Sequence, residues 1–242
     1  MYKGKKILCI IPARSGSKGL KQKNILKIKN KELIYYPIKA GLKSKYVDYV
    51  LFSSDSRKFI KIAEKYKAKC PFIRPRKLSR DTSTSYEVIK HAIEFLKENL
   101  NKEFEYVICL EPTSPLTTNK DVDNSIKLII DKRSKSLVSV MKSEKFSIPY
   151  HFKMNKSLNI FPATITKNFD KRRQLIKNTY ILDGSLYIAK IKDYFNFKGF
   201  FTSKTIGMTM PKIKNFEIDD IFDFKIIKNY VERSKKKWIK LL

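Results

Sequence analysis

The sequence predicts one α/β domain, a Rossmann-like fold whose mostly parallel β-sheet is covered by helices on both faces. Three observations carry that prediction. A chain of 242 residues with 42% hydrophobic side chains is long and apolar enough for one large core. Strand-like runs alternate with helix-spaced segments through the first two-thirds of the chain. The first run, Lys6–Ala13, is apolar without alternation, as expected of a strand buried on both faces.

The elements follow in order. Glu32–Lys45 has helical spacing through Leu33, Ile34, Pro37, Ile38 and Leu42. Tyr49–Ser54 is a second strand, with Ser54 or Asp55 placed to cap a helix over Ser56–Lys67. Cys70–Ile73 reads as a short third strand. Asp81-Thr82-Ser83-Thr84-Ser85 then caps a helix through Asn99, with Val88, Ile89, Ala92, Ile93 and Leu96 on one face. Tyr106–Leu110 is a fourth strand, Asp121–Ile130 a helix and Leu137–Met141 a fifth strand. Residues 142–180 are polar and irregular, too long for a plain loop, and predict an excursion suited to meeting a second subunit. Strands at Ser185–Ala189 and Thr205–Met210 resume the core, and Asp220–Ser234 closes it as an amphipathic helix. The whole of 1–242 reads as a single domain.

Composition narrows the function classes. The net charge of +30 invites a nucleic-acid reading, yet only nine of the 53 basic residues are arginine and the lysines are spread along the chain. A phosphate-backbone surface would favour arginine, whose fork binds phosphate at two points, so a lysine-biased composition accounts better for the charge. No nucleic-acid partner is expected. By the same logic each arginine becomes a candidate for a site that needs the fork. No apolar run approaches the ~20 residues of a membrane span. Lys3, Lys5 and Lys6 before Ile7–Ala13 mimic a signal peptide, but no small-residue cleavage site follows. That segment reads as the first strand of a cytoplasmic protein. Cys9, Cys70 and Cys109 have no metal-ligand spacing and read as small hydrophobes. His91 falls within a helix and His151 has no evident partner, so histidine catalysis is not expected.

The chemistry concentrates directly after the first strand, in Ile11-Pro12-Ala13-Arg14-Ser15-Gly16-Ser17-Lys18-Gly19-Leu20-Lys21-Gln22-Lys23-Asn24. Ligands of open α/β sheets bind at the carboxyl ends of strands. Two of the seven glycines, Gly16 and Gly19, expose backbone N–H groups there beside Lys18, Lys21 and Lys23, which suits a polyphosphate. The spacing matches neither a Walker A loop nor GxGxxG. Taken as glycine and lysine alone, the loop reads equally well as a solvated basic turn.

The segment resembles the signature of the acylneuraminate cytidylyltransferase family (CMP-sialic acid synthetases and relatives), roughly I-P-A-R-x-G-S-K-G-x-x-x-K-N. Further pieces of that pattern recur in order: Ser54-Asp55, Arg74-Pro75, Asp81 to Ser85, Pro112-Thr113-Ser114-Pro115-Leu116, Arg173-Gln174, Asp183-Gly184-Ser185 and Glu217-Ile218-Asp219. The resemblance implies transfer of CMP from CTP to the anomeric hydroxyl of a nonulosonic acid, with Mg²⁺ or Mn²⁺, in a homodimer. It implies Arg14, Ser17, Lys18 and Lys23 on the nucleotide and its triphosphate, with Asn24 near the nucleoside. Arg74, Ser83 and Ser85 are implied for the cytosine, against simpler readings of surface charge for Arg74 and helix cap for Ser83. Arg14, Lys23 and Asp219 are implied as catalytic.

Glu217 and Asp219 are two residues apart, and as neighbours on a strand face they suit a hard cation. Glu217 replaces a usual Asp, which makes Asp219 the stronger ligand; Asp220 reads as a cap of the last helix. Arg173 and Gln174, beside Arg172, are implied for the acidic sugar across a dimer interface. Glu111 and Asp183 stand where the family has amides, and Glu144-Lys145-Phe146-Ser147 replaces a histidine-proline run. Acceptor-only carboxylates at two sugar-pocket positions point to a modified nonulosonate with additional N–H donors, or an amine. CMP-Kdo synthetase-like activity is the alternative within the same chemistry, and a basic nucleic-acid-binding protein the alternative outside it.

Overall fold

The computed structural model describes residues 1–16, 19–143, 152–163 and 179–233. Ser17, Lys18, Glu144–Ser147, His151 and Arg172–Gln174 lie outside the described residues.

Strand β1 (Ile7–Pro12) explains why its sequence shows no alternation. Ile7, Cys9 and Ile11 enter one apolar cluster, and Leu8 and Ile10 enter another on the opposite face. The first cluster takes in Ile34, Ile38 and Ala40 of helix α1 (Tyr35–Lys43) and its N-terminal approach. It also holds Phe59 and Ala63 of α2 (Arg57–Lys65) and Val122, Ile126 and Ile129 of α4 (Asn119–Asp131). The second takes Ile89, Ala92, Ile93 and Leu96 of α3 (Ser85–Leu100) and Tyr194 of α5 (Ile191–Asn196). Burying a side chain of this size contributes roughly 1.5–3 kcal/mol, so a strand apolar on both faces belongs at the centre of the sheet.

The six-stranded sheet runs β10-β6-β9-β5-β1-β4, with β4 at Tyr49–Ser53, β5 at Tyr106–Leu110, β6 at Ser136–Ser143, β9 at Thr179–Lys190 and β10 at Thr205–Thr209. Five strands point one way. Strand β9 alone is antiparallel to both neighbours, β5 and β6. Pairing of β6 with β9 continues out to Ser143 opposite Thr179, so the expected excursion leaves the core as an extension of these two strands. Among the described residues it then contains a hairpin of β7 (Phe152–Met154) and β8 (Ile160–Pro162). A register irregularity between Val138 and Val140 bends β9 at Asp183-Gly184, where Gly184 has φ +72°.

Several boundaries differ from the sequence expectation. Cys70–Ile73 is not a strand: Lys69 makes an isolated bridge to Leu51, and Pro71, lacking an N–H, takes the chain out of the ladder. Helix α1 begins at Tyr35 because Lys27–Ile28 (β2) and Lys31–Glu32 (β3) form a small hairpin turning through Lys29 and Asn30, both at positive φ. Ser56, rather than Ser54 or Asp55, caps α2 by accepting from Phe59 N. Thr84 and Thr118 each form a capping box, with Glu87 and Asp121, and each cap contributes about 1 kcal/mol. Asp220 caps α6 (Ile221–Arg233), accepting from Phe222 N at 2.8 Å and Asp223 N at 2.9 Å. A third apolar cluster joins Phe224, Ile227 and Val231 of α6 to Ile28, Leu33 and Ile218. It anchors residues 217–219 over the carboxyl ends of the strands.

Candidate active site

The loop after β1 is held from below. Asp55, just past β4, accepts from Ser15 N at 2.8 Å and Ser15 Oγ at 2.7 Å. Asn24 is buried and donates from Nδ2 to Arg14 O at 3.1 Å, closing the loop on itself. A Cβ at Gly19 would lie 2.9 Å from the Asp219 carbonyl oxygen, so the loop approaches residues 217–219 as closely as glycine allows. Lys23 lies in a single 3-10 turn, Lys23–Ile25, and donates from Nζ to Asp219 Oδ1 at 3.1 Å. Its side chain is 16% exposed, whereas that of Asp219 is 73% exposed at the mouth.

The opposite rim comes from the segment before α3. Arg74 is only 4% exposed and donates from Nε to Ser79 Oγ at 3.0 Å. It is therefore no surface charge. Burial depresses its pKa and the neighbouring Arg14 adds to this, while Asp55 and Glu111 oppose it. Ser83 is not the helix cap; its Oγ donates to Lys77 O and accepts from Arg80 N. Between the rims lies a cavity of about 570 Å³, within the usual range for small-molecule sites. Arg14, Lys23, Asn24, Arg74, Ser83, Ser85, Glu111 and Asp219, all singled out in the sequence, line it. Arg80, Asp81 and Thr113 line it as well; Asp81 and Thr113 fall in family-like runs, but none of the three was assigned a role.

Thr113 explains the proline-flanked turn after β5. Its carbonyl accepts from Ile218 N at 2.9 Å and its Oγ1 donates to Glu217 Oε1 at 3.1 Å. The expected strand over Glu217–Asp219 is not formed, and among the described residues no strand pairs with it. The alternation survives regardless: Ile218 is fully buried, and Glu217 and Asp219 point away from that core.

A second cavity of about 420 Å³ shares Ser85 and Glu111 with the first. Its walls are aromatic: Tyr86, Tyr187, Tyr194, Phe200 and Phe201, with Lys198 among them. The Tyr194 and Phe200 rings are 4.8 Å apart and those of Tyr187 and Phe200 5.5 Å. Tyr187 falls in the family-like run Asp183 to Ile188, where it was given no role; the other rings carry no sequence signal beyond the Phe200-Phe201 pair, because apolar walls and apolar cores look alike in a sequence. Glu217 and Gly184 also line this cavity; a Cβ at Gly184 would stand 2.6 Å from Glu217 Oε2, on top of its positive φ.

Four carboxylates, Asp81, Glu111, Glu217 and Asp219, line these cavities. Burial pushes the Glu111 carboxyl up to about 7, with Glu217 adding to this; the Cys109 thiol, donating at 3.4 Å, and the more distant Lys23 and Arg74 oppose it. Burial also raises Glu217, reinforced by Asp219 and Asp183 and opposed by Thr113 and Lys23. Glu217 and Asp219 thus repel one another on one side of the chain, an arrangement that a hard divalent cation relieves. Among the described residues no group of three His, Cys, Asp or Glu side chains is placed to hold a metal ion. Asp183 lines neither cavity. Its Oδ1 accepts from Ser139 Oγ, Ser185 N and Ser185 Oγ, and its buried Oδ2 has no partner among the described residues.

Comparison with known proteins agrees with this geometry. Residues 8–176 match the model of the cytidylyltransferase family. The chain is 33% identical to a pseudaminic acid cytidylyltransferase of Campylobacter jejuni over 92% of its own length and 95% of the relative's. It is 32% identical to an N-acylneuraminate cytidylyltransferase of Escherichia coli over 98% of its own length and 54% of that longer relative. A solved CMP:2-keto-3-deoxy-manno-octonic acid synthetase complexed with CTP shares the fold, with a TM-score of 0.66 at 15% identity over 94% of this chain and 99% of that one. A strand order with a phosphate-type loop after β1, and a family match across most of the chain, lead to one assignment: this protein belongs to the cytidylyltransferase family and is a nucleotidyltransferase.

Proposed function

We propose that the protein transfers CMP from CTP to the anomeric hydroxyl of a nonulosonic acid and releases pyrophosphate. The observation that carries this reading is the pair of abutting cavities, one polar and cation-lined, one aromatic, meeting at Ser85 and Glu111. A nucleotide in the first and a sugar in the second bring an α-phosphorus and a hydroxyl together at that boundary, as in-line displacement requires.

Arg14 and Lys23, with Ser17 and Lys18 from the same loop, hold the triphosphate and offset the charge that builds on the phosphoryl oxygens. Asn24 keeps Arg14 in place through the bond to its carbonyl. Arg74, Ser83 and Ser85 take the cytosine. Asp219, and Glu217 through water, would hold a Mg²⁺ or Mn²⁺ ion, which would supply positive charge to the phosphoryl oxygens. The rings of Tyr187, Phe200 and Phe201 receive the apolar face of the sugar, and Lys198 together with Arg173 and Gln174 takes its carboxylate.

Arg173 and Gln174 come from a second subunit in a homodimer. The exposed apolar residues Tyr180 and Leu182 on the extension of β9, and Met154, Leu158 and Phe161 on the β7–β8 hairpin, support that assembly. The site works in the cytoplasm, where its nucleotide is made; no described helix is long and apolar enough to cross a membrane.

Glu111 lines the acceptor cavity, and its ionised form, which prevails above about pH 7, accepts only and favours a nonulosonate with more N–H donors than N-acetylneuraminate. Asp183 acts on the same pocket by shaping the bend that carries Gly184. Pyrophosphate release from CTP and Mg²⁺ is to be measured with pseudaminate, N-acetylneuraminate and Kdo in turn. Pseudaminate is expected to be the best acceptor. A clear preference for N-acetylneuraminate refutes the role given to Glu111, preference for Kdo refutes the nine-carbon acceptor, and no release with any sugar refutes the enzyme assignment.

A further inference from the structure

Arg14 bridges the mouth of the first cavity. Its Nη1 lies 2.6 Å from Asp81 Oδ1, across 67 residues of chain. The carboxylate is not a floating surface group. It sits on a turn in which Ser83 N donates to Arg80 O at 3.1 Å, while Ser83 Oγ ties Arg80 N to Lys77 O. Thr84 then opens α3 through its capping box, which fixes the end of that turn. Asp81 is therefore presented to the guanidinium by a built scaffold, and both residues line the same cavity.

A carboxylate in this position works against the ligand that Arg14 is placed to hold. The guanidinium has five N–H donors, so one carboxylate does not exhaust it. A unit negative charge beside a polyphosphate nevertheless repels it, and it competes for the same nitrogen. Tight capture of a triphosphate carries a kinetic cost, because the pyrophosphate left after the α-phosphorus–oxygen bond breaks keeps the same cations.

We propose that Asp81 is an opposing anion at the triphosphate subsite, a positioning residue that acts through Arg14 to loosen its hold on the outer phosphates and speed the departure of pyrophosphate. This rests on the placement of the triphosphate at Arg14. Asp81→Asn keeps the shape and removes the charge. Binding of inorganic pyrophosphate with Mg²⁺, measured by calorimetry at low ionic strength, is expected to tighten roughly 3- to 5-fold, the range for one exposed ion pair. Cytidine, which has no phosphate, is the reference ligand and stays within about twofold.

A structural or phosphate-organising role for Asp81 moves pyrophosphate the other way, so unchanged or weaker binding overturns the inference. Asp81→Ser gives the same readout should the amide disturb the turn. Asp81→Glu keeps the wild-type affinity; a glutamate variant that tightens pyrophosphate as much as the asparagine variant also overturns it. Wild-type protein that binds neither pyrophosphate nor cytidine sinks the functional reading itself, a separate outcome.

Discussion

The cavity proposed for the nucleotide and the cavity proposed for the acceptor share a wall but are built on opposite plans. The first is polar and assembled around a single loop: Arg14, Lys23 and Asn24 lie within eleven consecutive residues, braced by Asp55 from the adjacent strand. The second is aromatic, and its rings come from α3, β9, α5 and the chain beyond α5. A phosphate needs N–H groups and cations at fixed spacing, which one short turn supplies. A sugar face needs area, and area is collected from wherever the fold brings rings together. The two plans predict that damage to one cavity is read in the constants of one substrate.

The strongest test of that separation is Lys23→Ala. Loss of this half-buried cation, proposed to hold the phosphates, is expected to lower kcat/KM for CTP by roughly 10²- to 10³-fold. The acceptor KM should stay near wild type in a pyrophosphate-release assay, and a comparable loss in acceptor KM breaks the division of labour. Phe201→Ala probes the other side. Phe201 is 57% exposed yet lines the acceptor cavity, so its removal leaves the core intact. The acceptor KM should rise roughly 5- to 10-fold with no change in the KM for CTP or in Tm.

A separate test, on stability rather than catalysis, concerns Glu111, which belongs to both cavities. Its folded pKa, about 7, is raised above the ordinary carboxyl value of 4.5. The folded state therefore holds its proton more tightly, and stability falls as pH rises from 4.5 through 7. Glu111→Gln removes that loss. The variant should unfold at higher temperature than wild type at pH 8, by up to about 3 kcal/mol of stability, and the two should converge at pH 4 to within roughly 0.5 kcal/mol. An equal difference at both pH values shows that burial does not hold the carboxyl protonated.

The structure also explains how far each region could be read in advance. The loop from Arg14 to Asn24 stood out because its glycines, cations and preceding apolar strand fall in one stretch of chain, although only its resemblance to a family signature separated it from a solvated basic turn. The capping boxes at Thr84 and Thr118 are local in the same sense, although only the first was anticipated. Beyond Tyr187 the aromatic wall was not legible, since Tyr194 and Phe200 sit in segments whose apolar residues read equally as core. The strand assigned to Cys70–Ile73 failed for a related reason: β-propensity describes a segment, whereas a ladder needs a partner and an N–H that Pro71 lacks.

The sequence by itself determined the class of fold, the central burial of β1 and the phosphate-type loop, because periodicity and backbone requirements act over a few residues. Only the tertiary structure decided that β9 enters antiparallel between β5 and β6, and that Asp55 braces Ser15. The same holds for Asp81 meeting Arg14, Asp219 meeting Lys23, and one buried carboxyl at Glu111 serving two cavities. Those pairings span 40 to 196 residues. A hydrophobic pattern states which face of an element is buried, but not which element lies against it, and a cavity is the space that packing leaves unfilled.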